Sequence, residues 1–311
     1  MKPRGIIGMW RRIALGVLMT AAAAAPGAAP VNLVSVGSDT LGDLMLAWVD
    51  AFQAANPQVR IQIQTPGSAG APTALAVGSA ELGPMSRAMT EAEEASYRRY
   101  RGHAPGRIQI GLDAIAIFVH PDNPIGSLSL QDVDAVWSQT RRCGRGSPIA
   151  AWSDLAVAAP ALINRPILRI GRNTASGTFE FFRDVALCEG VYRDDVVQLA
   201  GAGAIVAAVA QQPHAIGHAG VGHVNALVKV LPLRDGKNVV APTPENIENG
   251  RYPLARPLYI YFNRGTDGRP SEASLRFLQY VLSGPAQTLL EHQGFVALSA
   301  QALAEQKELV Q

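Results

Sequence analysis

Residues 171–182, GRNTASGTFEFF, have the types and spacing needed to bind an anion. Arg172 is followed four residues later by Ser176, Gly177 and Thr178, where an aromatic-rich helix is predicted to begin. The first N–H groups of a helix have no partner within it and the helix dipole is positive there, so this end suits an oxyanion. Arg172 adds a planar fork of charged donors. The alternative is that a hydroxyl here only caps the helix and that Arg172 is a solvated loop charge.

Three earlier segments also end in loops rich in glycine and serine. Strands are predicted at 31–36 and 59–64, each followed by a helix, of which the first is amphipathic, and a third segment at 80–83 leads to the next loop. Strand ends on one edge of a parallel sheet lie side by side, so we expect these loops to share a site. Glycine and serine are also ordinary turn residues, which is the alternative. The loops contribute the polar candidates Ser38, Asp39, Thr40, Ser68, Ser86 and Arg87.

Asp113 is a further candidate because it interrupts an otherwise apolar strand predicted at 108–120. A carboxylate in such a strand costs several kcal/mol unless it is paired or reaches a polar cleft. The alternative is a solvated strand end.

The alternation of strands and helices predicts an α/β fold. A strand at 167–170 feeds the arginine segment, and a final pair of helices is predicted at 271–290 and from 299 onwards. The polar loops come partly from 37–87 and partly from 171–178. A protein of two lobes with its ligand between them would bring these loops together, and the strands at 113–120 and 258–262 are the expected crossing points.

Length and composition agree with a folded protein of two domains. The chain has 311 residues, of which 48% are hydrophobic and 17% charged, and this excludes a disordered class. Residues 1–30 resemble a secretory signal peptide, since basic residues precede a short apolar run and an alanine tract. We therefore expect export to the periplasm. Without the four basic residues of this segment, 23 basic residues stand against 25 acidic ones, so no nucleic-acid partner is indicated.

The chain has two cysteines, Cys143 and Cys188, on either side of the arginine segment. Export makes a disulfide the expected state, and two buried free thiols are the alternative. Closing this loop would contribute about 3–4 kcal/mol by loop-closure arguments.

With these segments identified, the chain resembles the periplasmic phosphate-binding proteins of bacterial ABC importers, the PstS-like family. The resemblance covers nearly all of the chain after residue 30, and it is closest in GSDTLGDLMLAW, LGPMSRAM, LDAIAIFV, GRNTASGTFEFF and YPLARPLYIYF. It implies a type II binding-protein fold, in which two α/β lobes, each a mixed, mainly parallel sheet flanked by helices, are joined by two crossing strands. The lobes would be 31–115 with 256–311, and 116–255.

The resemblance also implies a function. The protein would capture inorganic phosphate between the lobes and deliver it, as a monomer, to the membrane permease of an ABC importer, with no cofactor and no catalysis. The family pattern assigns phosphate contacts to Thr40, Leu41, Ser68, Arg172, Ser176, Gly177 and Thr178.

The third loop departs from the best-known members, which have there an aspartate that accepts the proton of monohydrogen phosphate. Here the loop reads Ser86-Arg87, as in a subset of the family. An ionised carboxylate rejects sulfate, which has no proton to donate, so the location of the acceptor decides selectivity. Asp113 and Asp39 both remain candidates. Arg87 would strengthen attraction to any oxyanion.

Other functions fit less well. His214, His218 and His223 lie close in sequence, but glycines separate them and no acidic residue is near, so a metal-binding receptor is not favoured. A serine hydrolase or a metal phosphatase would need a base or clustered Asp and His ligands, and the sequence shows neither pattern. A receptor for another anion, or a phosphate sensor without a transport role, would look the same in sequence.

Overall fold

The computed structural model describes residues 30–163 and 165–311, so the predicted signal peptide at 1–30 lies, apart from Pro30, outside the described residues. The strands are β1 Val31–Val36, β2 Val59–Gln64, β3 Leu82–Met85, β4 Gly106–Val119, β5 Leu128–Ser129, β6 Leu168–Arg172, β7 Val197–Leu199, β8 Ala215–Gly220, β9 Lys229–Leu231, β10 Leu233–Asp235, β11 Asn238–Val240 and β12 Ala255–Phe262. The α-helices are α1 Gly42–Ala55, α2 Gly70–Val77, α3 Glu91–Arg101, α4 Leu130–Trp137, α5 Gly177–Phe181, α6 Ala202–Ala210, α7 Pro244–Glu248, α8 Glu272–Val281, α9 Gly284–His292 and α10 Ala300–Glu308.

One long strand connects the two halves of the main sheet. The strand order is β2-β1-β3-β12-β4-β8-β6-β7, with β9 also on β4. The first part of β4, up to Ala114, pairs antiparallel with β12, and its second part, from Ile115, pairs with β8 and β9. Strands β1, β2 and β3 are parallel to one another, as are β6, β7 and β8. The α/β prediction is confirmed.

Each half of the sheet has its own hydrophobic core. The largest cluster of one half contains buried residues from 33–110 and 258–310, and the largest cluster of the other half contains residues from 114–254 together with Val296. We call the half with β1–β3 the first lobe and the half with β6–β8 the second lobe. The exact boundaries at 115/116 and 255/256 stay a prediction. Within the described ranges, none of the helices is long and apolar enough to cross a membrane.

The helices follow from local sequence signals. In α1, Leu44, Trp48 and Phe52 recur every four residues and are all buried, so they form one apolar face. The third Gly/Ser loop also leads to a helix, α3, where Thr90 and Glu93 form a capping box.

The single helix predicted at 271–290 is wrong, because α8 ends at Val281 and α9 begins at Gly284. Pro285 occupies the first turn of α9, where its missing N–H costs no helical hydrogen bond.

The predicted disulfide is confirmed. Cys143 and Cys188 are bonded, with a Cα–Cα distance of 5.4 Å and a sequence separation of 45 residues. The bond links the segment after α4 to the end of the helical region that begins with α5.

Candidate functional site

The three Gly/Ser loops of the first lobe meet in one hydroxyl cluster, as their positions after parallel strands predict. Ser38 Oγ donates to Ser86 Oγ at 3.1 Å, and Ser68 Oγ lies 3.3 Å from the same atom. The Ser86 backbone N–H donates to Ser68 Oγ at 3.1 Å. All three serines are buried, so their hydroxyls lie in an environment of low polarity where hydrogen bonds to a ligand are strong.

A glycine brings the second lobe into contact with this cluster. A Cβ atom on Gly177, the first residue of α5, would lie 2.5 Å from Ser68 Oγ and 2.8 Å from Ser86 Oγ. No larger residue fits without moving these hydroxyls. Gly177 therefore lets the start of α5 approach the serines directly.

The hydroxyl of Thr178 continues the cluster across the lobes. Its Oγ1 lies 3.3 Å from Thr40 Oγ1 of the first lobe, and both side chains are buried. Ser176 Oγ accepts from the Thr178 N–H at 3.1 Å, so Ser176 caps α5, as the alternative interpretation of this residue anticipates. The Leu41 N–H donates to Ser38 O at 3.3 Å and thus closes the first loop on itself.

Arg172 is buried at the end of β6 beside Asp39. Its Nη1 lies 3.0 Å from Asp39 Oδ2, although the two groups are not aligned for a hydrogen bond. Its Nε and Nη1 have no hydrogen-bond partner among the described residues. Burial lowers the pKa of Arg172 while Asp39 opposes this shift and the nearby Arg256 adds to it. Asp39 Oδ2 also accepts from the Ala202 N–H at 3.3 Å, which joins the first loop to the start of α6.

Sequence reasoning missed a second buried arginine, Arg256 in β12. Its Nε and Nη2 donate to Asp113 Oδ2 at 2.9 and 2.6 Å, and Nη2 also donates to Thr178 Oγ1 at 3.0 Å. Neither side chain of the ion pair is accessible to solvent. Arg256 Nη1 and Asp113 Oδ1 remain without a hydrogen-bond partner within the described part of the chain. A signal was present, because Arg256 stands immediately before the apolar and aromatic run at 257–262 and would be a costly charge if that run is buried.

Arg87 differs from the expectation that it attracts the anion. Its Nη1 and Nη2 each donate to a carboxylate oxygen of Glu93 at 2.7 Å, and Nη1 also donates to Ala88 O at 2.8 Å. Its Nε contacts Glu180 Oε2 of the second lobe. Burial alone would lower the pKa of Arg87, but Glu93 and Glu180 together raise it above the usual value. The guanidinium is thus directed to two carboxylates and not to the hydroxyl cluster, although its neighbour Ser86 belongs to that cluster.

The three histidines considered for a metal have separate surroundings. His218 is buried and stacks on Phe182, with ring centroids 3.8 Å apart, while His223 Nε2 lies 3.3 Å from Thr40 O. Burial lowers the pKa of His218 to about 3, and Arg172 and Arg256 contribute to this shift, so the ring is neutral at physiological pH. Across residues 30–163 and 165–311, no group of three His, Cys, Asp or Glu side chains is arranged to hold a metal ion.

The site therefore combines two Arg–Asp pairs with five buried hydroxyls, from Ser38, Thr40, Ser68, Ser86 and Thr178. Charged N–H groups and hydroxyls can donate to several oxygens of one small anion. A free carboxylate oxygen, such as Asp113 Oδ1, can accept only from a ligand that carries a proton. The arrangement suits a tetrahedral oxyanion with at least one O–H group.

Comparison with known proteins identifies relatives over most of the chain. A family model described as a PBP superfamily domain matches residues 22–285. The phosphate-binding protein PstS of Pseudomonas aeruginosa is 40% identical over 271 residues, which cover 86% of this chain and 84% of that protein. The protein of the same name from Staphylococcus saprophyticus is 25% identical over 276 residues, or 87% of this chain and 82% of that one.

Two solved structures share the fold. One is a Clostridium perfringens protein described as a phosphate ABC transporter substrate-binding protein and solved with bound phosphate. It has a TM-score of 0.73 at 24% identity and covers 86% of this chain and 100% of its own. The other is an ABC-type phosphate transport receptor from Vibrio cholerae, with a TM-score of 0.67 at 20% identity over 86% of this chain and 100% of its own. The two-lobed α/β architecture is thus confirmed.

Proposed function

The chain belongs to the PBP superfamily and, within it, to the family of the phosphate-binding protein PstS, and from this membership we propose a function for it. The protein binds inorganic phosphate between its two lobes and delivers it to an ABC importer. This function involves capture and release without a chemical step. It requires a site that neutralises a dianion, satisfies all its oxygens and rejects sulfate.

The observation that carries the proposal is the pair of buried arginines with unused N–H groups beside the hydroxyl cluster. Arg172 Nε and Nη1 and Arg256 Nη1 have no hydrogen-bond partner in the described ranges, although both side chains are buried and Arg172 Nη1 lies 3.0 Å from Asp39 Oδ2. Leaving a buried donor unsatisfied costs about 1–3 kcal/mol, and more when the group is charged. Phosphate oxygens accept such hydrogen bonds, so a bound phosphate would remove this cost.

We assign the ligand contacts according to this geometry. The hydroxyls and N–H groups around the cluster donate to phosphate, Arg172 and Arg256 supply charge, and the free oxygen of Asp113 accepts the phosphate proton. Asp39 orients Arg172 and closes the first loop against α6. The proposed set is Ser38, Asp39, Thr40, Leu41, Ser68, Ser86, Asp113, Arg172, Ser176, Gly177, Thr178 and Arg256.

The cellular setting follows from the same membership. We infer that residues 1–30 direct export to the periplasm and are then removed, and that the folded protein works as a monomer. In this setting the lobes 31–115 with 256–311, and 116–255, would close around phosphate and present it to a membrane permease.

Isothermal titration calorimetry of residues 31–311 with phosphate, sulfate and zinc in turn tests the ligand. Phosphate should bind with one-to-one stoichiometry, and neither sulfate nor zinc should give a comparable signal. Zinc binding without phosphate binding would contradict the proposal. Phosphate uptake by cells that lack the protein, with and without its re-expression, separates an importer component from a sensor, because a sensor would leave uptake by the existing permease unchanged.

A further inference from the structure

We propose that Arg87 is a positioning residue that holds the lobes closed by linking Glu93 of the first lobe to Glu180 of the second. This inference rests on the proposed function and concerns how long phosphate stays bound. It gives a role to Arg87, which belongs to the third Gly/Ser loop but directs its guanidinium away from the hydroxyl cluster. The three residues are called the Glu93–Arg87–Glu180 bridge.

The bridge lies directly beside the ligand site without entering it. Arg87 follows Ser86 of the hydroxyl cluster, and Glu180 lies three residues after Gly177 in α5. The Arg87 side chain is 7% exposed, and the side chains of Glu93 and Glu180 are each 21% exposed. A charge pair at this degree of burial is screened less by solvent than an exposed surface pair.

The two carboxylates differ in what happens when the lobes separate. Glu93 is fixed within the first lobe, because its Oε2 accepts from the Thr90 N–H at 2.8 Å and its own N–H donates to Thr90 Oγ1 at 3.2 Å. Its two hydrogen bonds to Arg87 therefore persist in an open protein. The contact to Glu180 joins different lobes and exists only while they are together.

A contact made in only one of two states shifts the equilibrium toward that state by its own free energy. The Arg87–Glu180 contact therefore stabilises the closed form, in which phosphate cannot leave. In an open form Glu180 has another cation within reach, since Arg183 Nη2 lies 3.9 Å from Glu180 Oε1 on the same helical segment. Because Glu180 can pair with Arg183 in an open form, the loss of Arg87 as a partner costs less, and the Arg87–Glu180 contact favours the closed form only moderately.

Glu180→Gln and Glu93→Gln form a matched pair for the test. Each removes one negative charge next to Arg87 from a side chain of the same exposure, so the two variants change the net charge near Arg87 by the same amount. Glutamine also preserves the capping box at Thr90, because Gln serves in this motif as well as Glu. Only Glu180→Gln removes the link between the lobes.

Stopped-flow measurement of phosphate binding and release is the readout. We expect Glu180→Gln to raise the dissociation rate constant by roughly three- to tenfold, with the association rate constant changed by less than about twofold, as is usual for a short-range contact. Glu93→Gln should leave the dissociation rate within about twofold of wild type. Equal acceleration by both variants, or none by Glu180→Gln, would overturn the proposal.

A double-mutant cycle with Arg87→Met shows whether Glu180 acts through Arg87. In the Arg87→Met background, Glu180→Gln should no longer accelerate release. Persistent acceleration there would mean that Glu180 acts through another contact, which contradicts the bridge. Failure of the proposed function is a distinct result, since wild-type protein would then show no phosphate binding at all.

Discussion

Replacing Asp113 by asparagine should reduce the discrimination between phosphate and sulfate. In wild type, Arg256 donates to Asp113 Oδ2 through Nε and Nη2, which leaves Oδ1 without a hydrogen-bond partner in the described ranges, and we propose that Oδ1 accepts the phosphate O–H group. In Asp113→Asn the side-chain oxygen keeps the bonds to Arg256, because only an oxygen can accept them. The amide NH₂ then takes the place of Oδ1 and offers a donor where the ligand needs an acceptor.

The expected magnitude follows from the exchange of one hydrogen bond. Phosphate loses a bond to a charged acceptor, which contributes about 1.5–3 kcal/mol, or roughly 10–150-fold in affinity. Sulfate loses a repulsive contact with the carboxylate and gains a donor. The affinity ratio of phosphate to sulfate should therefore fall by at least about tenfold. General attraction to anions also rises when a negative charge is removed, so the ratio is the informative quantity.

Competition titrations at mildly alkaline pH, where both ligands are dianions, measure this ratio. Asp39→Asn is the control, because it also removes one carboxylate charge next to a site arginine. We expect it to change both affinities together. The assignment is refuted if sulfate stays excluded in Asp113→Asn but competes in Asp39→Asn, since the acceptor would then be Asp39. The substitution removes the charge that pairs with the buried Arg256, so it can also lower the stability of the protein. The melting temperature of Asp113→Asn must therefore be measured together with the titrations.

Three further predictions concern Arg172, the Cys143–Cys188 disulfide and His218. Arg172→Ala should weaken phosphate binding by at least about 2–3 kcal/mol, and Arg172→Lys should weaken it by less. If calorimetry shows that the alanine variant binds phosphate with wild-type affinity, Arg172 does not belong to the site. Reduction of Cys143–Cys188 should cost up to about 4 kcal/mol of stability and lower the melting temperature, whereas free thiols in mass spectra of freshly isolated protein would contradict the disulfide. Burial lowers the pKa of His218 from the ordinary 6.5 to about 3 in the folded protein. The unfolded chain therefore binds a proton below pH 6.5 that the folded protein does not bind, so stability is fully present above pH 6.5 and falls as the pH is lowered toward 3. Between pH 6.5 and about pH 3, the free energy of unfolding of wild type should therefore fall by up to about 1.4 kcal/mol per pH unit more than that of His218→Phe, as measured by urea unfolding. Parallel plots of this free energy against pH for the two proteins would show that His218 has the same pKa in the folded and unfolded states.

Much of the site was predictable from local sequence because its residues stand at strand ends. Ser38 follows a β-branched run, Ser68 follows an alternating strand and Ser86 follows a third short segment, and parallel neighbours place the ends of these strands at one edge. Asp113 was identified because a carboxylate in an apolar strand is too costly to be left unpaired. These inferences need only side-chain type and period, which one segment contains by itself.

Which charged side chains pair with one another follows from long-range packing. The register of β12 on β4 places Arg256 opposite Asp113, two residues that are 143 positions apart, and no local spacing encodes that pairing. The contact between Arg87 and Glu180 likewise depends on tertiary structure, because Glu180 reaches Arg87 only when the lobes pack together. Side-chain types and strand ends, read from the amino-acid sequence, predict that polar loops gather at one edge of the sheet. Their division into ligand contacts, paired carboxylates and a link between the lobes depends on long-range packing, because a charge acts on whichever group the fold brings within a few ångströms of it.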